Sequence, residues 1–232
     1  MTKEDYKMWY ENTVRYKNDG VVVRLRDEYN GSPTSVTVPS IYYPLNGNYE
    51  IFTYENTEQV LDKNVLAVYD KVKYNIGSCY SNTNALASAL RMRGIEVKTY
   101  VGWIFTNNYQ FPVHHCWAVV NGNSVLDLSD DFTVMLSGAN GEHFEGKSIT
   151  ETRELIADFQ LAASRLPNSV RCNPVGTPTP FLLYVGCECE PEQGKVIYRD
   201  LIRRFPNHEC QRNCDSSGLN ATQRVMRKYG LI

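Results

Sequence analysis

Cys79, His115 and Asp127 are the residues of this chain whose types and order could do covalent chemistry. A cysteine at the first position of a helix meets unpaired backbone N–H groups and the positive end of the macrodipole, and both favour a thiolate. An imidazole beside it can stabilise that thiolate and later pass a proton to a leaving group. A carboxylate on the far side of the ring fixes its tautomer. Together the three fill the roles needed for acyl transfer from an amide through a thioester. Taken singly, each also has an ordinary reading: a small buried hydrophobe, a packed strand residue, a turn cap.

The elements that must position them can be read from the surrounding pattern. A helix is expected to begin near Cys79 and to pass through Ala85, Leu86, Ala87, Ala89 and Leu90 to Gly94, a C′ stop. Strand-like runs follow at 95–104, 113–120 and 124–128, and Asn121-Gly122 joins the last two as a hairpin signal. His114 competes with His115, because neighbours on a strand point to opposite faces and only one can meet Cys79.

Hairpin register decides between them, since opposed residues share a face. A two-residue loop would pair Val120 with Asn123 and put Asp127 on the face of His114. A three-residue loop, 121–123, pairs Val120 with Ser124 and sets Asp127 opposite Trp117, diagonal to His115. We expect the three-residue loop, ending in a left-handed residue, or a bulge that restores the same alternation. For an oxyanion, the N–H of Cys79 is the natural first donor, with Asn75 or the Tyr42-Tyr43 region as sources of a second.

The words around these residues resemble the transglutaminase-like superfamily of cysteine enzymes. Gly77-Ser78-Cys79-Tyr80 and the run from Leu90-Arg91 through Gly94-Ile95 to Val101-Gly102 are similar to its nucleophile segment. His115-Cys116-Trp117-Ala118-Val119-Val120 resembles its histidine strand, and Leu126-Asp127 its aspartate segment. Residues 56–130 carry the likeness. Cys116 stands where the family has a small residue, and Ala118-Val119 departs from its usual V-E. The resemblance implies an α+β fold with a papain-like, transglutaminase-type core, in which the nucleophile's helix packs on an antiparallel sheet. It implies Cys79 as nucleophile, His115 as its histidine and Asp127 as its aspartate. Water as acceptor would make the protein a protease or amidohydrolase, and an amine would make it a transglutaminase. Hydrolysis is the expectation, because the accessory domains of large animal cross-linking enzymes are not recognisable here. A third reading, from another class, keeps the fold as an inactive peptide-binding or scaffold protein. The chemistry requires no organic cofactor, and its substrate would be a protein, a peptide or a small amide.

Upstream, short strands are expected at 21–23 and 35–38, with a turn at Asn30-Gly31-Ser32-Pro33. A helix is expected from Asn56, where Gln59 completes a capping box, to about Tyr74. Downstream, a helix over 150–165 stops before Pro167. There the composition shifts, and the chain divides into a catalytic domain, 1–166, and a cysteine-rich extension, 167–232. The seven cysteines are uneven: beyond Cys79 and Cys116, Cys172, Cys187, Cys189, Cys210 and Cys214 crowd towards the C-terminus. Four of Cys187, Cys189, His208, Cys210 and Cys214 would suit a structural zinc ion. Disulfides are the competing reading in an oxidising, secreted setting, and unlinked thiols the plain one.

At 232 residues the chain can bury a core unaided. It balances 24 basic against 26 acidic side chains, so it has no cationic surplus to make nucleic acid its main partner. No apolar run approaches the ~20 residues of a membrane span. A charged start without an apolar segment behind it gives the expectation of a cytoplasmic protein. His143, among glycines, reads as surface loop, and Arg199, Arg203, Arg204, Arg224, Arg227 and Lys228 as solvated helix faces.

Overall fold

β-branched and aromatic side chains dominate two long runs, Val97–Thr106 and Val113–Val120, and both are strands. A computed structural model of the chain describes residues 14–17, 20–26, 33–39, 49–54, 56–106, 113–129, 148–172, 174–178 and 182–204. In chain order its elements are β1 (Val14–Lys17), β2 (Gly20–Arg26), β3 (Pro33–Pro39), β4 (Glu50–Phe52), α1 (Lys63–Tyr69), α2 (Cys79–Arg91), β5 (Val97–Thr106), β6 (Val113–Val120), β7 (Ser124–Leu126), α3 (Ile149–Arg165), α4 (Asn168–Arg171), β8 (Leu182–Glu188) and α5 (Pro191–Arg204). The fold is α+β. One sheet has the order β1-β2-β3 and the other β4-β8-β5-β6-β7, and every named strand pair is antiparallel.

The two faces of the larger sheet have different work. On one, Leu86, Ala87 and Leu90 of α2 pack with Val97, Ala118, Val120 and Leu126, and Val65, Val68 and Tyr69 of α1 join the same cluster. On the other, Phe52, Tyr100, Ile104, Trp117, Val119, Val125 and Tyr184 form an aromatic layer. Strand alternation produces this division: Cys116, Ala118 and Val120 face the helix, while His115, Trp117 and Val119 face the rings.

The expected start of β2 and β3 is close to what is observed, although β1 was not foreseen. The turn at 30–33 lies largely outside the described residues. The helix expected over 56–74 is reduced to Lys63–Tyr69, capped by Asp62, whose Oδ1 accepts from the Asn64 N–H at 2.7 Å. Asn56 does not cap it. Its Oδ1 accepts from the Thr53 N–H at 2.7 Å and its Nδ2 donates to the Ile51 carbonyl at 2.6 Å, closing a turn instead. Val60 N–H is then taken by the Val175 carbonyl at 2.8 Å. At the other end Asn168 Nδ2 donates to the carbonyls of Tyr69 and Val72. Long-range partners therefore claim backbone groups that the longer helix would have used.

Residues beyond the expected boundary at 166/167 enter the same sheet. β8 pairs with β4 on one side and β5 on the other. Gly102 and Gly186 face each other in that pairing, and a Cβ on Gly102 would collide with the Val185 carbonyl. Among the described residues no helix is long and apolar enough to cross a membrane.

Candidate active site

Cys79 is the first residue of α2, after the N-cap Ser78. Its N–H has no acceptor within the helix, as for any residue of a first turn. The approach to this helix is fixed by Asn82, which accepts the Asn75 N–H at 3.1 Å and donates to the Asn75 carbonyl at 2.8 Å. Gln160 of α3 holds the same segment, accepting from the Ile76 N–H and donating to the Tyr74 carbonyl. Gly77 turns the chain with φ at 70°, a conformation that glycine adopts without cost.

β7 pairs only with Ala118, Val119 and Val120. Among the described residues, earlier residues of β6 have no strand partner on that side, and the start of α2 approaches there. Thr83 Oγ1 donates to the Cys116 carbonyl at 2.9 Å, binding the helix to the uncovered strand. This contact ties the first half of α2 to the residue that follows His115 on β6.

The hairpin takes the three-residue loop, with Val120 opposite Ser124. Its left-handed residues are Asn121 (φ 55°) and Gly122 (φ 84°), the first two rather than the last as expected. Asp127, just past β7, accordingly lies on the face of His115. His115 Nε2 and Asp127 Oδ2 are 2.8 Å apart, with both side chains buried. Cys79 is near enough to help raise the His115 pKa; with Nε2 engaged by Asp127, Nδ1 is the ring nitrogen left to face the sulfur.

Three further donors hold the aspartate. Tyr184 of β8 donates its hydroxyl to Oδ2 at 2.8 Å, the Ser129 N–H donates to Oδ1 at 2.9 Å, and the Tyr69 hydroxyl donates to the backbone carbonyl at 2.8 Å. Burial alone would raise the Asp127 pKa, but the His115 charge and hydrogen bond, the Ser129 N–H and the Tyr184 hydroxyl outweigh it and hold the carboxyl below its usual range. For His115, burial works towards the neutral ring, yet the Asp127 charge and hydrogen bond, then Cys79, carry it above the ordinary histidine value. The imidazolium form of the ring is therefore favoured relative to an ordinary histidine. Trp117, two residues along, lies nearly parallel to it at 11°, and Tyr184 stands edge-on to Trp117 with centroids 5.1 Å apart. These rings close the aromatic side of the pair against water, which strengthens its electrostatics.

His114 is directed to the opposite face. Its Nδ1 is 3.2 Å from the Tyr80 hydroxyl, and its ring stacks on Tyr198 of α5. Burial, and secondarily the His115 charge, push its pKa well down, so it is a neutral packing residue. Asn75, one expected source of an oxyanion donor, has its backbone N–H taken by Asn82. Tyr42 and Tyr43 lie outside the described residues, as does His143.

Sequence reasoning missed Tyr184, Ser129 and Tyr69. Tyr184 is 57 positions from its partner in the chain, and no local pattern marks such a pairing. Ser129 contributes only its backbone, which has no sequence signature. The alternation argument applied to Trp117 would have placed an aromatic ring beside His115.

Of the tail ligands expected for zinc, His208, Cys210 and Cys214 lie outside the described residues. Cys187 is half-buried, and burial pushes its thiol up to about 12. Cys189 packs with Cys79, Val101 and Cys116, so its sulfur belongs to the wall of the site. Among the described residues no group of three or more His, Cys, Asp or Glu side chains is arranged to hold a metal ion. Cys79 and Cys116 carry free thiols.

No family model, no curated protein and no solved structure matches this chain.

Proposed function

We propose that this protein is a cysteine enzyme that transfers an acyl group from an amide through a Cys79–His115–Asp127 triad, with water as the acceptor. The observation that carries the reading is the buried contact of His115 Nε2 with Asp127 Oδ2 at 2.8 Å, on a ring whose pKa is also raised by Cys79 at a helix N-terminus. A packing histidine has no need of a buried carboxylate on one ring nitrogen with a helix-terminal cysteine nearby.

The Cys79 thiolate attacks the amide carbonyl carbon, and negative charge moves to the carbonyl oxygen near the Cys79 N–H. The His115 imidazolium gives its proton to the departing amine as the C–N bond breaks, leaving a thioester. Neutral His115 then takes a proton from water, the hydroxide attacks the thioester, and a carboxylic acid leaves as the thiolate is restored. Asp127 stays ionised and holds the ring in the tautomer that presents Nδ1 to sulfur.

The same site fits the resemblance in its flanking words to the transglutaminase-like superfamily, and a papain-like core is part of this proposal. The helix-borne cysteine, the antiparallel sheet, and a histidine and aspartate from neighbouring strands support it. Profiling the purified protein on amide and peptide libraries, with and without added primary amines, tests the function. Release of free acid that disappears in Cys79→Ala is the expected result. Products joined to the amine would reassign it as a transglutaminase, and unchanged turnover in Cys79→Ala would remove the mechanism.

A further inference from the structure

Tyr184 is the group in the site that neither the local motif nor the order of the triad accounts for. Its hydroxyl donates to Asp127 Oδ2, the same oxygen that meets His115 Nε2, and both contacts are 2.8 Å. The ring is fully buried, edge-on to Trp117 and to His115. Its backbone is fixed too, because β8 is paired on both sides, Tyr184 lying opposite Phe52 on β4 and Ile104 on β5. A hydroxyl held this rigidly at one carboxylate oxygen restricts rotation of the carboxylate, and it withdraws charge from the oxygen that faces the imidazolium.

Resting on the thiol-enzyme reading above, we propose that Tyr184 is a positioning residue of the triad, which orients Asp127 and tempers its hold on His115. Among the described residues, the ionisable groups around the His115–Asp127 pair are Cys79 from α2, Tyr69 from α1 and Tyr184 from β8, with His114 and Cys116 beside it on β6. Of these only Tyr184 donates a side-chain hydroxyl to the catalytic carboxylate oxygen. Its removal leaves Oδ2 more negative, so the imidazolium is better stabilised and loses its proton at higher pH. The freed carboxylate also orients the ring less well. Tyr184→Phe therefore moves the histidine step in the pH profile upward while lowering reactivity at neutral pH. A residue that only filled space would change thermal stability and leave that step where it was.

The test needs no known substrate. The rate of Cys79 alkylation by iodoacetamide is followed by peptide mass spectrometry across pH in the full-length wild type and in Tyr184→Phe. The expected result is a neutral-pH rate about ten- to a hundredfold lower, the scale of one hydrogen bond to a charged group, with the histidine step displaced upward. If Tyr184→Phe does not fold, replacement of Tyr184 by 3-fluorotyrosine keeps the ring and makes the hydroxyl a stronger donor, and the step should move downward. Selective alkylation of Cys79 in the wild type with an unmoved step in the substituted protein overturns the inference and leaves the thiol site standing. Indiscriminate alkylation of the wild type overturns the thiol site, and this inference with it.

Discussion

At Asp127 the donors converge: His115 Nε2 and the Tyr184 hydroxyl on one oxygen, the Ser129 N–H on the other, and the Tyr69 hydroxyl on its carbonyl. The pH dependence of stability follows from the two shifted groups. Asp127 is depressed when folded, so its contribution is present above the unfolded aspartate value of about 3.9 and is lost as pH falls through the folded value. His115 is raised, so its contribution is complete below about 6.5 and is lost as pH rises through the folded value. Asp127→Asn should lower stability most between those limits, by about 3–5 kcal/mol for a broken buried pair. Its deficit should shrink at both extremes, as thermal melts across pH would record. The same substitution should cut amide turnover by about a thousandfold or more. Cys79→Ala should abolish turnover and Cys79→Ser should reduce it by orders of magnitude, both with the fold retained by circular dichroism. Cys79, His115 and Asp127 were legible because each sits in a short word of local sequence, and because alternation along one hairpin relates the last two. Tyr184 was not, since its place depends on pairing between strands far apart in the chain.

Among the elements, the hairpin and α2 set the geometry. Thr83 joins them by donating to the Cys116 carbonyl. Thr83→Val keeps the shape but leaves that buried carbonyl unpaired, at a cost of about 1–3 kcal/mol. It should also slow Cys79 alkylation, because the helix start is no longer tied to the strand beside His115. Gly122 has φ at 84°, and nothing stands within 4 Å of where its Cβ would be. Gly122→Ala should therefore cost only the backbone penalty of about 1–2 kcal/mol in denaturant titration, with reactivity per folded molecule unchanged. The extent of β6 and the loop register were legible because periodicity and a turn dipeptide are local signals, whereas β2 and β3 run longer and β7 shorter than expected. The α1 start was not, because Asn56 found carbonyl and N–H partners in its own turn and Val60 paired with Val175. The left-handed positions in the loop moved to Asn121 and Gly122 for a similarly local reason: asparagine and glycine there both tolerate positive φ.

On the scale of the whole chain, the site is assembled from both sides of residue 166. α2 and β6 bring Cys79 and His115, while β8 brings Tyr184 and fills the sheet between β4 and β5. A fragment ending at 166 would leave β4 without its partner and open the aromatic layer around His115. It should show no cooperative thermal transition, whereas the full chain should melt as a unit. The compositional shift at Pro167 marked a change of local sequence character that strand order does not respect. The central claim is that one thiol, Cys79, is activated by its surroundings. Its most direct test is the rate at which iodoacetamide labels each of the seven cysteines of the native full-length protein at neutral pH, read peptide by peptide. The account predicts that Cys79 reacts far ahead of the others and loses that lead in His115→Ala; labelling of all thiols at comparable rates, or a Cys79 rate indifferent to His115, would contradict it.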